Sequence, residues 1–338
     1  MGVTIKDVAK KTGLSITTVS LVLNKKVSRI SEKTRQIVES AALELNYAPN
    51  QAAISLSTKK TNLIALVIPR KSFYFLADLV SSIESCSRNA GYGLNISLPE
   101  GDEQSCLEAM QETMRRGADG VIFDPSIFSD DFYSAYMDLI LKNETPICSL
   151  AGVGAHLLPN SIVPDHQQGG YIAASHLLGL GHTRIGIIAG TDENCLVSGL
   201  LRGVEDAFEE HLQGSSAPSV VFGEDTSVFG YRELETVLNM QKGISGIICS
   251  SNSIATGVLQ RTYELGITVP EQISVIGYGN ISPGTEYLLS LSTVSIHYDR
   301  IARKAVNLIK KLNQGEPALT PELVPPSLIL RGSTTPTF

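Results

Sequence analysis

The chain is poor in groups that carry covalent or metal chemistry. Its five cysteines, Cys86, Cys106, Cys148, Cys195 and Cys249, stand singly with no C-x-x-C pair. An odd, unpaired set excludes a disulfide framework or a zinc ribbon and reads as buried reduced thiols. Six histidines (His156, His166, His176, His182, His211, His297) show no metal-ligand spacing, and no nucleophile elbow occurs. Gly152 and Gly154 begin a G-x-G, but Leu157 occupies the place of the third glycine, so the dinucleotide fingerprint is incomplete. Long apolar runs are also missing, and the stretch Leu63 to Ile68 is far too short to cross a bilayer. The polar, charged start is no signal peptide. These absences set the expectation of a cytoplasmic protein that is no enzyme and carries no cofactor or metal.

What is present is unevenly distributed. With 338 residues, 43% of them hydrophobic, the chain can bury more than one core, and two or three domains are expected. The formal net charge is −7, which as an average argues against a nucleic-acid binder. Residues 1–60, however, hold ten Lys or Arg against four acids, a balance of +6, and the remainder is left at −13. Such asymmetry puts a phosphate-seeking module at one end and an acidic body at the other.

The basic end opens with VTIKDVAKKTGLSITTVSLVLN, from Val3 to Asn24. Ile5, Val8 and Ala9 recur at helical spacing, Gly13 and Leu14 follow, and a second periodic segment carries Val19, Val22 and Leu23. Two short helices meeting at a glycine-containing turn form a helix-turn-helix. A third helix is expected from about Ser31 to Leu45, capped by Ser31, with Ile37, Val38, Ala41, Ala42 and Leu45 as its apolar stripe. Thr34 stands where Glu or Gln would complete a capping box.

On this scaffold the candidates for phosphate contact are Ser15, Thr18, Ser20, Asn24, Ser31, Thr34 and Tyr47, with Arg29 and Lys33 adding charge. Ile16, Thr17 and Leu21 are the residues expected to face base edges. Two of the three are apolar, so contact with thymine methyl groups is expected to outweigh bidentate readout of guanine.

The chain resembles the lactose-repressor (LacI/GalR) family of bacterial transcription regulators over nearly its whole length. The resemblance rests on T-I-K-D-V-A-x-x-x-G-x-S-x-x-T-V-S at Thr4 to Ser20, V-L-N at 22 to 24, S-x-K-T-R at 31 to 35 and L-N-Y-A-P-N at 45 to 50. It implies a homodimer in which each headpiece enters the major groove of one half of a near-palindromic operator, and it adds Asn50 to the DNA-contact set. Residues 51–57, too brief a helix to stand alone in water, match the family's hinge, which folds when paired with its dimer mate on DNA. There Leu56 is the matching minor-groove wedge and Ala53 the close-approach residue. Ile54 stands where relatives often carry Arg.

From Asn62 onward short apolar runs alternate with helix-length segments. Strand candidates are Leu63 to Ile68, Gly93 to Leu98, Gly120 to Asp124, Ile147 to Leu150, Ile185 to Ala189, Val220 to Phe222, Gly246 to Ser250 and Ser274 to Gly277. The expected fold class is an N-terminal all-α helix-turn-helix headpiece (1–49) and hinge (50–61), followed by an α/β body (62–338) of two doubly wound parallel-sheet subdomains. The resemblance implies a periplasmic-binding-protein-like body, with a first subdomain of about 62–161 and 291–325 and a second of about 162–290 and 326–338. It also makes His182 a structural loop residue. A helix near His297 to Leu312 and a strand near Pro326 to Arg331 finish the chain. No leucine heptad follows, so a dimer is the expected limit of assembly.

The family's body closes on a small effector between its lobes, where strand C-terminal ends face one another. Sugar-binding members place an Arg where Leu200 stands here, with Arg202 two residues on. They have Asn-Asp where Ser251 and Asn252 stand, a carboxylate at the place of Gly279, and an aromatic at that of Asp225. Losing those charged partners removes most of the bonding that fixes sugar hydroxyls, so a common sugar is not the expected ligand. Phe75, Leu76, Ser126, Asp165, Leu200, Arg202, Asp225, Asn252 and Gly279 make up the candidate effector set, which points to a less polar ligand or to none. The expected function is sequence-specific transcription regulation, repression before activation. Two alternatives stay open: a regulator answering to a protein partner, and a solute-binding module, which would leave the headpiece without a role.

Overall fold

A computed structural model of the chain describes residues 3–23, 30–47, 55, 60–70, 76–128, 131–152, 156–191, 195–213, 217–279, 290–318 and 320–337. Two compact units emerge, Met1–Thr61 and Asn62–Phe338.

The first unit contains α1 (Ile5–Thr12), α2 (Ile16–Leu23) and α3 (Glu32–Glu44). Gly13 ends α1 with φ near 68°, the left-handed region where a side chain is disfavoured, and the chain turns there into α2. Each helix start has its own local cap. Ser15 Oγ accepts from the Thr18 amide at 3.1 Å, and Ser31 Oγ accepts from the Thr34 amide at 3.2 Å, satisfying donors that have no partner inside the helix. Asp7 accepts from both the amide and the hydroxyl of Thr4 at 2.8 and 2.7 Å, a cap the motif reading passed over. Val8, Ala9, Val19, Val22, Val38, Ala41 and Ala42 form the core, flanked by Leu14, Leu45 and Tyr47. Ile37 was expected in this core but is 44% exposed. The inner stripe of α3 runs Val38, Ala41, Ala42, and Ile37 falls off its edge.

The body begins with β1 (Leu63–Val67), α4 (Ala77–Asn89), β2 (Gly93–Ser97), α5 (Glu103–Arg115), β3 (Gly120–Phe123), α6 (Asp131–Lys142) and β4 (Ile147–Ser149). Then follow β5 (Ile162–Pro164), α7 (His166–Gly179), β6 (Ile185–Ala189), α8 (Cys195–Leu212), β7 (Ser219–Phe222), α9 (Ser227–Met240), β8 (Gly246–Cys249), α10 (Asn252–Glu264) and β9 (Ser274–Tyr278). It ends with β10 (Ser292–Ser295), α11 (Tyr298–Leu312), β11 (Glu322–Val324) and β12 (Ser327–Ile329). The first sheet is parallel, in the order β2-β1-β3-β4. In the second, β12-β10-β9-β8-β6-β7, only β12 runs antiparallel. A short β11-β5 pair touches β4 through a single bridge between Ser149 and Ser161.

All eight strand candidates form strands, and β12 falls within the expected final segment. The three strands not foreseen, β5, β10 and β11, are three or four residues long, and their sequences IVP, STVS and ELV show no sustained apolar run. They move the lobe crossings. β10 lies in the second sheet, so the chain returns to the first lobe only with α11, later than the expected point near 291. β5 pairs with β11 beyond the expected crossing at 161.

Packing fixes the ends of these elements. Helix α11 buries Tyr298, Ile301, Ala302, Ala305, Val306, Leu308 and Ile309 along one face, and each larger side chain contributes roughly 1.5–3 kcal/mol. Gly120 lets it seat: a Cβ there would lie 2.3 Å from Ile309 Cγ2. In the second lobe α7 and α8 touch backbone to backbone, since a Cβ on Gly203 would fall 1.8 Å from the Gln167 carbonyl oxygen. A Cβ on Gly257 would meet the Ser227 carbonyl oxygen at 1.8 Å, locking α10 to α9 in the same way. His182 is a structural loop residue, as expected. Its Nε2 donates to the Thr335 carbonyl and its Nδ1 accepts from Ser245 Oγ, both at 2.9 Å, and burial keeps it below the usual imidazole pKa.

Candidate functional site

Helix α2 turns two faces in opposite directions. Val19 and Val22 are buried, while Ile16, 46% exposed, and Thr17 face outward. Ser20 and Leu21 follow one turn on, half-buried, so that 16, 17, 20 and 21 share a face at the i, i+4 spacing. Thr18 is half-buried, and its hydroxyl lies 2.9 Å from Ser15 Oγ, which ties both to the cap. Ser31 and Thr34 pair in the same manner at the start of α3, their hydroxyls 2.9 Å apart. Lys33 is exposed, and Tyr47 leans half-buried on the core. The three expected base readers thus come together on one surface, with Ser15 at its head. Asn24, Arg29, Asn50, Ala53, Ile54 and Leu56 lie outside the described residues.

In the body, strand ends and helix starts from both lobes converge, although not through the side chains the sequence nominated. Leu200 is fully buried in the core, and its carbonyl oxygen packs 1.9 Å from where a Gly170 Cβ would stand. It belongs to the α7–α8 seam and cannot line a pocket that opens to solvent. Arg202 is exposed on α8. Asn252 is occupied at both ends of its amide: Nδ2 donates to the Gly279 carbonyl at 3.2 Å, and Oδ1 accepts from Thr293 at 2.9 Å. It clamps β9 to β10, and Gly279, at φ near 94°, makes the turn that presents the shared carbonyl. Asp165 caps α7 by accepting from the Gln168 amide at 2.9 Å. Leu76 packs half-buried against the core, and Phe75 lies outside the described residues.

Ser126 and Asp225 mark where polar chemistry does gather. Ser126 donates from its amide and its hydroxyl to the two oxygens of Asp124, each at 3.1 Å. Asp124, at the C-terminal end of β3, is 5% exposed, and burial holds its carboxyl above the usual carboxylate range. Asp225 follows β7, accepts from Ser251 Oγ, and is likewise raised by burial. Gly190, at the end of β6, sits beside Asp225 and donates its amide to Ser250 Oγ at 2.9 Å. Tyr298, the first residue of α11, is 9% exposed. Its phenol is pushed above the normal range by burial and then by Asp124, Asp78 and Asp225 together. Cys195, the first residue of α8, is raised to about 11 by burial and by Asp124, with the Gly152 amide opposing.

Polar groups absent from the candidate set thus influence one another here, since Asp124, Asp78 and Asp225 each raise the Tyr298 phenol. Asp124 was visible in the sequence only as the last residue of a strand, the position where α/β folds place their ligand groups. Asp78, Cys195 and Tyr298 gave a comparable signal as first or second residues of helices. The thiols also differ from expectation in part, because Cys106, Cys148 and Cys249 are buried whereas Cys86 and Cys195 are half-exposed. Among the described residues no group of His, Cys, Asp and Glu is arranged to hold a metal ion, and no helix is long and apolar enough to cross a membrane.

A family profile described as bacterial regulatory proteins, lacI family, matches residues 4–50, and one described as a periplasmic binding protein-like domain matches residues 174–334. The HTH-type transcriptional regulator DegA of Bacillus subtilis strain 168 is 32% identical over 337 residues, covering 99% of each chain. The HTH-type transcriptional repressor PurR of Haemophilus influenzae strain PittEE is 29% identical, covering 98% of each. Among solved structures, the Lac repressor dimer bound to operator and the anti-inducer ONPF aligns with a TM-score of 0.84 at 26% identity, over 99% of this chain and 100% of that one.

Proposed function

The chain belongs to the lacI family of bacterial regulatory proteins, and on that premise we propose that it is a sequence-specific transcription repressor of the cytoplasm. It reads a near-palindromic operator as a homodimer and is modulated by an effector held between the two lobes of its body. The observation that carries this reading is the outward face of α2, where Ile16 and Thr17 are exposed and Ser20 and Leu21 half-buried, turned from a core that holds Val19 and Val22. This helix belongs to a segment with ten cations against four acids.

The two kinds of contact divide the work. Ser15, Thr18, Ser31, Thr34, Tyr47 and the cations Arg29 and Lys33 meet phosphates, setting register and supplying salt-dependent affinity. Thr17 and Leu21 read base edges, with Leu21 and Ile16 against thymine methyl groups. Leu56, with Ala53 allowing the close approach, is the minor-groove wedge of the hinge, and its cost in unstacking is offset by the surface a bent duplex gains. An effector that prefers one lobe angle over another changes whether the two hinges pair, which is a linkage between cleft and operator.

A salt series on operator and random duplexes with two variants tests this division. Leu56→Ala is expected to weaken operator binding while sparing nonspecific binding. Arg29→Ala is expected to weaken both alike and to reduce the slope of log affinity against log salt by about one. Indistinguishable behaviour of the two variants would contradict it.

A further inference from the structure

Several backbone groups at the start of the body are gathered by one residue, Asp119. Asn62, the first residue of that unit, has φ near 54°, a left-handed conformation that Asn adopts more readily than most side chains. Its amide donates to Asp119 Oδ2 at 2.9 Å, and its carbonyl accepts from the Gly93 amide at 2.8 Å. Both backbone groups of this turning residue are thus held.

Asp119 stands half-buried between α5 and β3, and it binds through its backbone as well as its side chain. Its amide donates to the Leu63 carbonyl at 2.8 Å, and its own carbonyl accepts from Asn313 Nδ2, also at 2.8 Å. Asn313 is the C-cap of α11, and the close seating of Ile309 on Gly120 brings the last turn of the same helix to the residue beside Asp119. Helix α11 begins directly after the chain leaves the second sheet at β10. The entry point of the body is therefore anchored to the lobe on which α11 packs.

Strand pairing alone does not call for this arrangement. β1 pairs with β2 from Leu63 and with β3 from Ile64, and those ladders hold the strand itself. The Asp119 carboxylate and the left-handed Asn62 add a fixed direction for the chain that precedes β1. Backbone held in a sparsely populated conformation by its surroundings is where a functional constraint is to be sought.

We propose that Asp119 is a positioning residue for operator recognition: by holding the Asn62 amide it fixes the direction in which the chain enters the body, and thereby the half-site separation that the dimer accepts. This rests on reading the chain as an operator-binding dimer. Two headpieces on connecting segments of fixed direction meet half-sites at one separation. Freely swivelling segments accept several.

The experiment measures anisotropy of the full-length protein with the duplex recovered by fragment selection, and with versions carrying one to three base pairs more or fewer at its centre. Native protein is expected to lose affinity steeply away from the selected spacing. Asp119→Ala is expected to shrink that loss about tenfold, the low end for a hydrogen bond to a charged group, and to leave binding to random duplex unchanged. Asp119→Asn, which keeps an acceptor oxygen, is expected to restore the native preference. Asn62→Val, whose branched side chain disfavours this φ, is expected to follow Asp119→Ala, and Asn62→Gly, which accepts it, to stay near native.

A native spacing preference in Asp119→Ala, an equal affinity loss at every spacing, or identical behaviour of Asn62→Val and Asn62→Gly would each overturn the inference and leave the operator reading standing. Should Asp119→Ala not fold, the two variants at Asn62 decide the matter. Native protein that accepts every spacing equally overturns the inference as well. Native protein that selects no duplex at all overturns it together with the operator reading.

Discussion

The three-helix unit and the α/β body bury their apolar groups by different means, and their functional surfaces differ accordingly. The small unit closes over a core of seven Val and Ala residues, too few to hide everything, so Ile16 and Ile37 remain outside and one face of α2 is left for a partner. The body builds layered cores around two parallel sheets and places its polar groups where strand ends and helix starts meet. One unit offers the outward face of a helix, assembled from neighbours in sequence. The other draws its polar groups from distant elements.

The strongest test of this contrast loads a clash into the body alone. Gly203→Val forces a side chain into a contact where even a Cβ would stand 1.8 Å from the Gln167 carbonyl oxygen. Overpacking of this kind costs roughly 3 kcal/mol or more, because a backbone has to move. Hydrogen exchange is expected to show lost protection throughout α7 and α8 and unchanged protection in α1–α3. Equal loss in both units would mean that they do not fold independently.

Next in size is the readout itself. Thr17→Ala and Leu21→Ala change side chains on the outward face of α2, so each is expected to cost about 1–3 kcal/mol of operator binding. The melting temperature should hardly move for Thr17→Ala, because Thr17 is exposed. Anisotropy titrations against operator and scrambled duplexes measure the first effect and calorimetry the second. A drop in melting temperature that tracks the affinity loss would place Thr17 in the core rather than on the reading face.

Acid separates the units as well, because all six histidines lie in the body. Burial lowers His166, whose Nδ1 meets the Tyr278 hydroxyl at 3.0 Å, to about 4 from an unfolded value of 6.5. Between those values the unfolded chain binds the extra proton, so this stability is present above pH 6.5 and is lost as pH falls toward 4. The loss amounts to about 3 kcal/mol by pH 4, the slope being at most about 1.4 kcal/mol per pH unit for one group. Asp124 and Asp225, raised by burial, work the other way, so the difference between native protein and His166→Asn isolates the histidine. Urea melts at several pH values should show a native curve steeper than the variant's for the body and none of this dependence for the helical unit. Parallel curves would mean that His166 titrates normally.

The smallest expected effect is Ser31→Ala, which removes the acceptor for the Thr34 amide and should cost the helical unit about 1 kcal/mol. The body's transition should stay in place.

How far the sequence could be read follows from the same contrast. The helical unit is local: Gly13, Ser15 and Ser31 act on residues within a turn of themselves, so helix bounds, caps and the exposed 16, 17, 21 set follow from spacing. Asp7 was overlooked as a cap only because it stands at a helix position more often filled by Glu. In the body eight strands announced themselves as apolar runs. β5, β10 and β11 did not, because pairing with distant strands, rather than a pattern of their own, makes them strands. The cleft was misjudged for a related reason. Analogy placed Leu200 and Asn252 on its wall, but Leu200 is consumed in a glycine-mediated helix seam and Asn252 in a clamp between strands. The groups that do influence one another, Asp124, Asp78, Asp225 and Tyr298, are separated by up to 220 positions of sequence, and spacing gives no sign of it.

Selection of bound fragments from a random duplex library, using the intact protein at low ionic strength, tests the central claim most directly. The expected result is enrichment of a single sequence with approximate two-fold symmetry, its half-sites read by α2 of each protomer and its enrichment lost in Thr17→Ala with Leu21→Ala. Recovery of unenriched fragments, or of an asymmetric site indifferent to those substitutions, would contradict it.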